Sequence, residues 1–296
     1  MKGQIRPVLL LGIVCAALCV VLAMLYLGGG KKPDPSPAAS SSEGTAEAED
    51  NSYTLYCPNA GKADAFLLKS QAGAVLIDTG ENPADVLSLL REQEVTRLDA
   101  LVLSHFDKDH IGGAAAVLEQ VEVQTLYRTA FTEDSQPYAA LMAALEDSDT
   151  EAVTVTETTK VTVAGAELTL YPPLESSYEK DQDNNASLIA GLEAGGVEML
   201  FTGDALKPRV EEFLEGQYDG TQYQLLKVPH HGGETKPTML LLEAFVPRYA
   251  LITSSYDQPE NEKLLARLEK AEVEAVLTRN GAVEFTCQDG TIERVS

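Results

Sequence analysis

The sequence predicts an α/β fold, and three observations carry that prediction. From Tyr53 onward, apolar runs of strand length alternate with segments of helical period. Several of those runs end in polar residues of the kind that ligate metals. All 4 His of the 296 residues fall in two short clusters, His105 with His110 and His230 with His231, each following such a run. Strands that deliver polar residues at their ends, with helices between them, place an active site along one edge of a sheet.

Taken in order, the chain begins with an element separate from this pattern. Lys2 and Arg6 precede an unbroken apolar run from Val8 to Leu27, about the length that spans a bilayer as a helix. A cleaved signal peptide would have a shorter apolar region ending in small residues, whereas this run ends Met24-Leu-Tyr-Leu-Gly-Gly-Gly30. Cys15 and Cys19 lack the sequence context of a lipoprotein. Residues 1–27 therefore read as an uncleaved transmembrane signal anchor. Lys31 and Lys32 blunt the charge asymmetry, and the short N-terminus sets the default orientation: a single-pass cell-membrane protein with its catalytic domain extracellular. Residues 28–52 are Gly, Pro, Ser, Ala and acidic side chains with almost nothing apolar, the composition of a disordered linker.

Residues 53–296 form the domain. Tyr53 to Cys57, Ala65 to Lys69 and Ala74 to Asp78 read as strands, the last two joined by a Ser-Gln-Ala-Gly turn. Pro83 opens a helix with Val86, Leu89 and Leu90 at helical spacing. A strand from Leu101 follows, then a helix from Gly112 that covers Ala116, Val117 and Leu118. Val121 to Tyr127 is a strand, Tyr138 to Leu145 a helix, and Ala152 to Tyr171 two or three strands. Gly195-Gly196 between Ser187 to Leu192 and Val197 to Thr202 signals a hairpin. Next come a strand over Gln222 to Val228, a helix from Pro237, a strand over Tyr249 to Thr253, a helix over Glu260 to Glu269 and closing strands near Ala275 and Ala282.

The chemistry concentrates in Leu101-Val-Leu-Ser-His-Phe-Asp-Lys-Asp-His-Ile-Gly-Gly113. In an extended segment alternate residues face the same way, so His105 and Asp107 can converge on one cation. Beyond the turn, Asp109 and His110 can address a second position. Imidazole and carboxylate suit Zn2+, with Mn2+ or Fe2+ as alternatives. Gly112 and Gly113 let the backbone pass close to such a site.

Charge narrows the partners. The net charge of −24 lies almost wholly in the domain, and so acidic a surface repels phosphate backbones and disfavours nucleic acid. No Gly-x-Ser-x-Gly elbow or phosphate-cradling Gly-rich loop is present. Cys57 and Cys287 are the thiols of the domain; a disulfide outside the cell and two buried thiols are both compatible with the sequence.

The segments Leu76-Ile-Asp-Thr-Gly80, Ser104 to Gly113, Phe201-Thr-Gly-Asp204 and Val228-Pro-His-His-Gly-Gly233 resemble the ordered motifs of the metallo-β-lactamase fold. They are most similar to the soluble hydrolase domain of ComEC-type DNA-uptake proteins, whose Gly-x-x-Asp-Ala segment Gly61 to Ala65 echoes. The resemblance implies an αββα sandwich with a binuclear site at one sheet edge. It implies His105 and Asp107 on the first metal, Asp109 and His110 on the second, and Asp204 bridging them. His230 is favoured to complete the second site, with His231 facing substrate. Asp78 would orient a ligand, as such sites require. Asp107 stands where the commoner motif has a second His, and a third-motif His is absent. Asn184, in Asn184-Asn-Ala-Ser187, is the nearest substitute, which implies one firm and one labile ion.

The function expected is that of a metal-dependent hydrolase. A cation so held lowers the pKa of bound water from near 16 to about 7, giving a hydroxide nucleophile, which Asp109 can help orient. The substrate expected is a phosphodiester or other ester, small or linked to the cell wall, with Lys108, Lys227 and His231 as candidates to bind an anionic group. A nuclease and a non-catalytic metal-stabilised binding domain are the alternatives. Oligomeric state is not legible in the sequence.

Overall fold

The computed structural model of the protein describes residues 51–295. The expected anchor over residues 1–27, and all of the expected linker before Asn51, lie outside the described residues. Among the described residues no helix is long and apolar enough to cross a membrane.

Strands β1 (Tyr53–Cys57), β2 (Phe66–Lys69) and β3 (Ala74–Ile77) form an antiparallel start, and β4 (Arg97–Leu103), β5 (Glu122–Arg128) and β6 (Glu151–Thr154) extend it in parallel. With β14 (Val283–Gln288) and β15 (Thr291–Arg294) they make one sheet, ordered β15-β14-β1-β2-β3-β4-β5-β6. The second sheet is built of β7 (Thr159–Val163), β8 (Ala166–Tyr171), β9 (Ile189–Ala194), β10 (Val197–Phe201), β11 (Leu225–Lys227), β12 (Tyr249–Ile252) and β13 (Glu274–Leu277). Its order is β13-β12-β11-β10-β9-β8-β7, with β10 to β13 parallel.

The strands of the sheet centres are apolar on both faces because both faces are covered. On β4, Ala100 and Val102 point into the space between the sheets, where they join Leu55, Phe66, Leu168, Met199 and Phe285. Phe66 and Phe201 meet there with ring centroids 5.2 Å apart. Leu101 and Leu103, one residue out of phase, face the helices α1 (Pro83–Glu92), α3 (Ala114–Gln120) and α4 (Gln136–Glu146) through Val86, Val117 and Leu141. The second sheet is covered by α6 (Lys207–Gly216) and α7 (Thr235–Ala244) through Phe213 and Leu241, and by α8 (Glu262–Lys270) through Leu264 and Leu268. The layers are therefore helix, sheet, sheet, helix. Two one-turn helices, α2 (Lys108–Ile111) and α5 (Gln182–Asn185), sit in the loops.

Three elements differ from the sequence reading. Helix α6 was not anticipated, since its apolar face is only Val210 and Phe213 beside a fully buried Arg209, a residue that no hydrophobic pattern marks as internal. Strand β15 buries one side chain, Ile292, too little for a period-2 signal. The strand expected over Gln222 to Val228 is confined to β11, although the Gln224 backbone still donates to Glu198 O and accepts from Tyr249 N–H, and its side-chain amide bonds Glu198 N–H and Gly290 O.

The two open thiol states are separated by register. On β1 and β14, Tyr53 lies opposite Cys287 and Cys57 opposite Val283. Cys57 and Cys287 are thus four residues apart along the pair, about 13 Å at the rise of an extended strand, beyond disulfide reach. Both are buried free thiols, and burial pushes Cys287 up to about 12. Peptide mapping is expected to find both as free thiols that alkylate only after denaturant is added; a linked pair released by reduction would contradict the register.

Candidate metal centre

Parallel strands bring their carboxyl ends to one edge, and there the chain spends its buried polar residues. Asp78 follows β3, Ser104 and His105 follow β4, Thr202 to Asp204 follow β10, His230 and His231 follow β11, and Thr253 follows β12. Gly203 makes the close approach possible. It has φ +52°, and a side chain there would lie 2.8 Å from Ser187 Oγ and 2.9 Å from the Ser104 side chain.

Four ligand-type side chains converge. Asp109, His110, Asp204 and His231 each offer an atom, and those atoms all lie within 4.8 Å of one another. His110 Nε2 is 3.3 Å from Asp204 Oδ1, and His231 Nε2 is 3.1 Å from Asp204 Oδ2 and 3.2 Å from Asp109 Oδ2. Yet neither ring nitrogen makes a well-aligned hydrogen bond, and both are buried. Buried polar atoms are normally satisfied. Two inward imidazole nitrogens facing two carboxylates, with no bond to either, fit a divalent cation of borderline or hard character.

Each ring is locked from behind. His110 Nδ1 donates to Asp78 Oδ2 at 2.8 Å, while Asp78 also accepts from Ser104 N–H at 2.8 Å and from the Ser104 hydroxyl at 2.7 Å. The Thr253 hydroxyl donates to Asp64 Oδ1 at 2.6 Å, so at 2.8 Å from His231 Nδ1 it must accept. Both imidazoles therefore carry their proton on Nδ1 and turn Nε2 inward. Lys227, fully buried, donates to Gly203 O at 2.8 Å and Asp204 Oδ1 at 3.2 Å, and pairs with Asp64.

Charge follows from this packing. Burial alone would raise Asp204, but His231, His110 and Lys227 hold it well below the usual carboxylate range. Burial would likewise lower His110, but Asp204, Asp78 and Asp64 more than offset it and leave the imidazole well above its ordinary value. Asp109 is also held low, burial being outweighed by the His231 and His110 imidazoles beside it. His230 is lowered, burial together with Lys62, His231 and Lys227 outweighing the attraction of Asp204.

The expected ligands fare unequally. Asp109, His110 and Asp204 come together as the sequence placed them, and Asp78 stands behind His110. Of the two neighbouring histidines, the resemblance favours His230 as ligand and His231 as facing substrate. His231 occupies the cluster and His230 does not, since two successive left-handed residues, φ 49° and 52°, turn the two rings apart to 6.3 Å between centroids. Such strain costs roughly 1–3 kcal/mol per residue and persists where surroundings over-determine it. His105 and Asp107 lie outside the group of four. They face each other at 3.5 Å, with His105 Nε2 buried and unbonded. Asn184 keeps a buried, unbonded Oδ1, and its carbonyl accepts from Ser187 Oγ, which in turn accepts from Asp204 N–H.

The lysines proposed for an anionic substrate are otherwise engaged: Lys108 is paired with Glu81 at 2.6 Å, and Lys227 is internal. Sequence reasoning missed Asp64 and Thr253 as supports of His231. The Asp of the Gly61 to Ala65 segment was a signal for the first; nothing marked the second.

Comparison with known proteins bears on this geometry. The family model described as the metallo-beta-lactamase superfamily matches residues 58–253. Competence protein ComA of Neisseria gonorrhoeae is 30% identical over 267 residues, covering 84% of this chain and 34% of that protein. ComE operon protein 3 of Bacillus subtilis (strain 168) is 26% identical over 252 residues, covering 76% of this chain and 32% of that protein. The chain spans about a third of the length of these curated relatives. A mutant of the CmlA beta-hydroxylase shares the fold, with a TM-score of 0.54 and 13% identity, covering 97% of this chain and 60% of that one.

Replacing each histidine of the pair separates their roles. His231→Ala is expected to weaken Zn2+ or Mn2+ binding by at least about 100-fold, more than the 10–100-fold cost of losing an outer partner, and His230→Ala by far less; calorimetric titration of each variant reads this, and the opposite order would contradict the assignment.

Proposed function

The chain belongs to the metallo-beta-lactamase superfamily and is an enzyme of that class, and on that premise we propose that it is a metal-dependent hydrolase of phosphodiesters or other esters. The convergence of Asp109, His110, Asp204 and His231 at one sheet edge carries the reading. These four would hold the tighter ion, with Asp204 shared; His105, Asp107 and the Asn184 amide oxygen would hold a second, weaker one. Zn2+ suits the donor set, and Mn2+ or Fe2+ suits its carboxylate share. When bound, such a cation lowers the pKa of water in contact with it and polarises a substrate oxygen.

The chain's own groups do the rest. Asp78 and Ser104 fix the His110 ring, and Asp64 with Thr253 fixes that of His231, so that the inward nitrogens hold their positions as charge develops. Lys227 offsets the negative charge of Asp204 and Asp64. Asp109, with its side chain 27% exposed, is placed to orient an approaching water.

A nuclease is the second reading, supported by the similarity to competence proteins and opposed by the net charge of −24, which repels a polyanion. The apolar run Val8 to Leu27 supports a membrane-tethered placement with the domain outside the cell.

Turnover of bis(p-nitrophenyl) phosphate tests the proposal. Asp204→Ala is expected to lower kcat/KM by at least about 1,000-fold, the scale of losing a group that organises the charge of the site, and chelation to abolish turnover until metal is restored. Undiminished hydrolysis after exhaustive chelation would contradict it.

A further inference from the structure

On the side where the strands end and the four-residue cluster lies, the loops carry a cleft of about 520 Å3 lined by none of the residues given a role above. Its walls are the segments after β5 (Phe131, Thr132), β6 (Val155) and β8 (Pro173, Leu174), together with Gln182 at the start of α5. Strands β4, β5 and β6 are parallel, and β8 runs in the direction of β10 through the antiparallel β9. The cleft therefore opens on the side where His105 and Asp204 emerge. Glu133, two residues beyond Phe131, keeps one buried, unbonded carboxylate oxygen.

Two features give the cleft a chemical preference. Its wall includes Phe131, whose ring lies near parallel to Tyr178 at 6.0 Å and 23°, and Leu174, which leaves 56% of its surface in solvent. Its lining has no Lys or Arg, and Glu175 is its one charged member. Such a surface welcomes an uncharged, flat apolar group and offers nothing to a string of phosphates.

The wall is also fixed in place. Glu212 on α6 accepts from Leu174 N–H at 2.9 Å, Glu175 N–H at 3.1 Å and the Tyr178 hydroxyl at 3.1 Å. Arg209, fully buried, donates to Glu212 at 2.9 Å, Tyr171 O at 2.6 Å and Ser187 O at 3.1 Å. Ser187 is the residue whose hydroxyl accepts from Asp204 N–H. One buried network thus ties the exposed Leu174 wall to the backbone of the central carboxylate.

Resting on the hydrolase reading above, we propose that this cleft is a subsite for an uncharged aryl group of the ester, with Phe131 and Leu174 as its contact residues and Glu212 as the positioning residue of its wall. Two esters with the same leaving group test it: bis(p-nitrophenyl) phosphate, and methyl p-nitrophenyl phosphate, which lacks the second ring. The wild-type chain is expected to favour the diaryl ester in kcat/KM by about tenfold, the scale of one aromatic contact, and Phe131→Ala to bring the ratio near one. Glu212→Gln is expected to raise KM for the diaryl ester more than for the methyl ester. A ratio near one in the wild type, or an unchanged ratio in Phe131→Ala, overturns the subsite. Binding of 2-naphthylphosphonate, which is not hydrolysed, followed by its fluorescence anisotropy, keeps the test independent of turnover. Binding weakened about tenfold in Phe131→Ala supports the subsite even if neither ester is cleaved, an outcome that would count against the hydrolase reading alone, whereas wild-type binding matched by the variant, or absent, overturns the subsite.

Discussion

The structure depends on how it accommodates a carboxylate, Asp204, that it has taken out of water. A buried ionised group is tolerated only when paired, and Asp204 is met by His110 and His231 on one side and by Lys227 on the other. Each of those partners would itself be costly if alone, so each has its own counter-charge: Asp78 for His110, and Asp64 for both Lys227 and His231. The result is a closed set of charges drawn from the ends of strands in both sheets. The inward nitrogens are left without well-aligned hydrogen bonds, and a divalent cation held between them would satisfy them.

This arrangement explains the backbone around it. Asp78, His230 and His231 all adopt left-handed conformations without being glycine, and Gly203 lies where a side chain would strike two serines. The sheets position the ends of the strands, and the strained turns aim the side chains. Stability comes from elsewhere, from the apolar layer between the sheets and the helices that cover their outer faces. The buried Arg209 belongs to the same logic, since one guanidinium satisfies the carbonyl that ends β8, one in the loop before β9 and the carboxylate that holds the cleft wall.

The layers were legible because both sheets are covered, so that β3, β4, β10 and β12 read as short unbroken apolar runs and α1 and α3 show helical spacing. The strand-end ligands Asp109, His110 and Asp204 were legible because histidine is rare in this chain and the carboxylates recur at strand ends. What stayed hidden depends on rotation about the backbone. His230 and His231 are chemically identical neighbours, and only their two left-handed dihedral pairs decide which ring faces inward. Lys227 reads as a solvent-facing lysine until its strand is placed between two carboxylates, and α6 is obscured because a buried Arg stands where an apolar residue would be expected. Thr253 gave no signal, since a threonine ending a strand is commonplace.

The most direct test of the central claim is anomalous diffraction from crystals of the protein grown with Zn2+ and measured at the zinc edge. The account predicts a strong peak at bonding distance from Nε2 of His110 and His231 and from the carboxylates of Asp109 and Asp204, about 2.0–2.2 Å for such donors. A peak bound by His230 in place of His231, or ordered density for the cluster with no zinc among its four side chains, would contradict it.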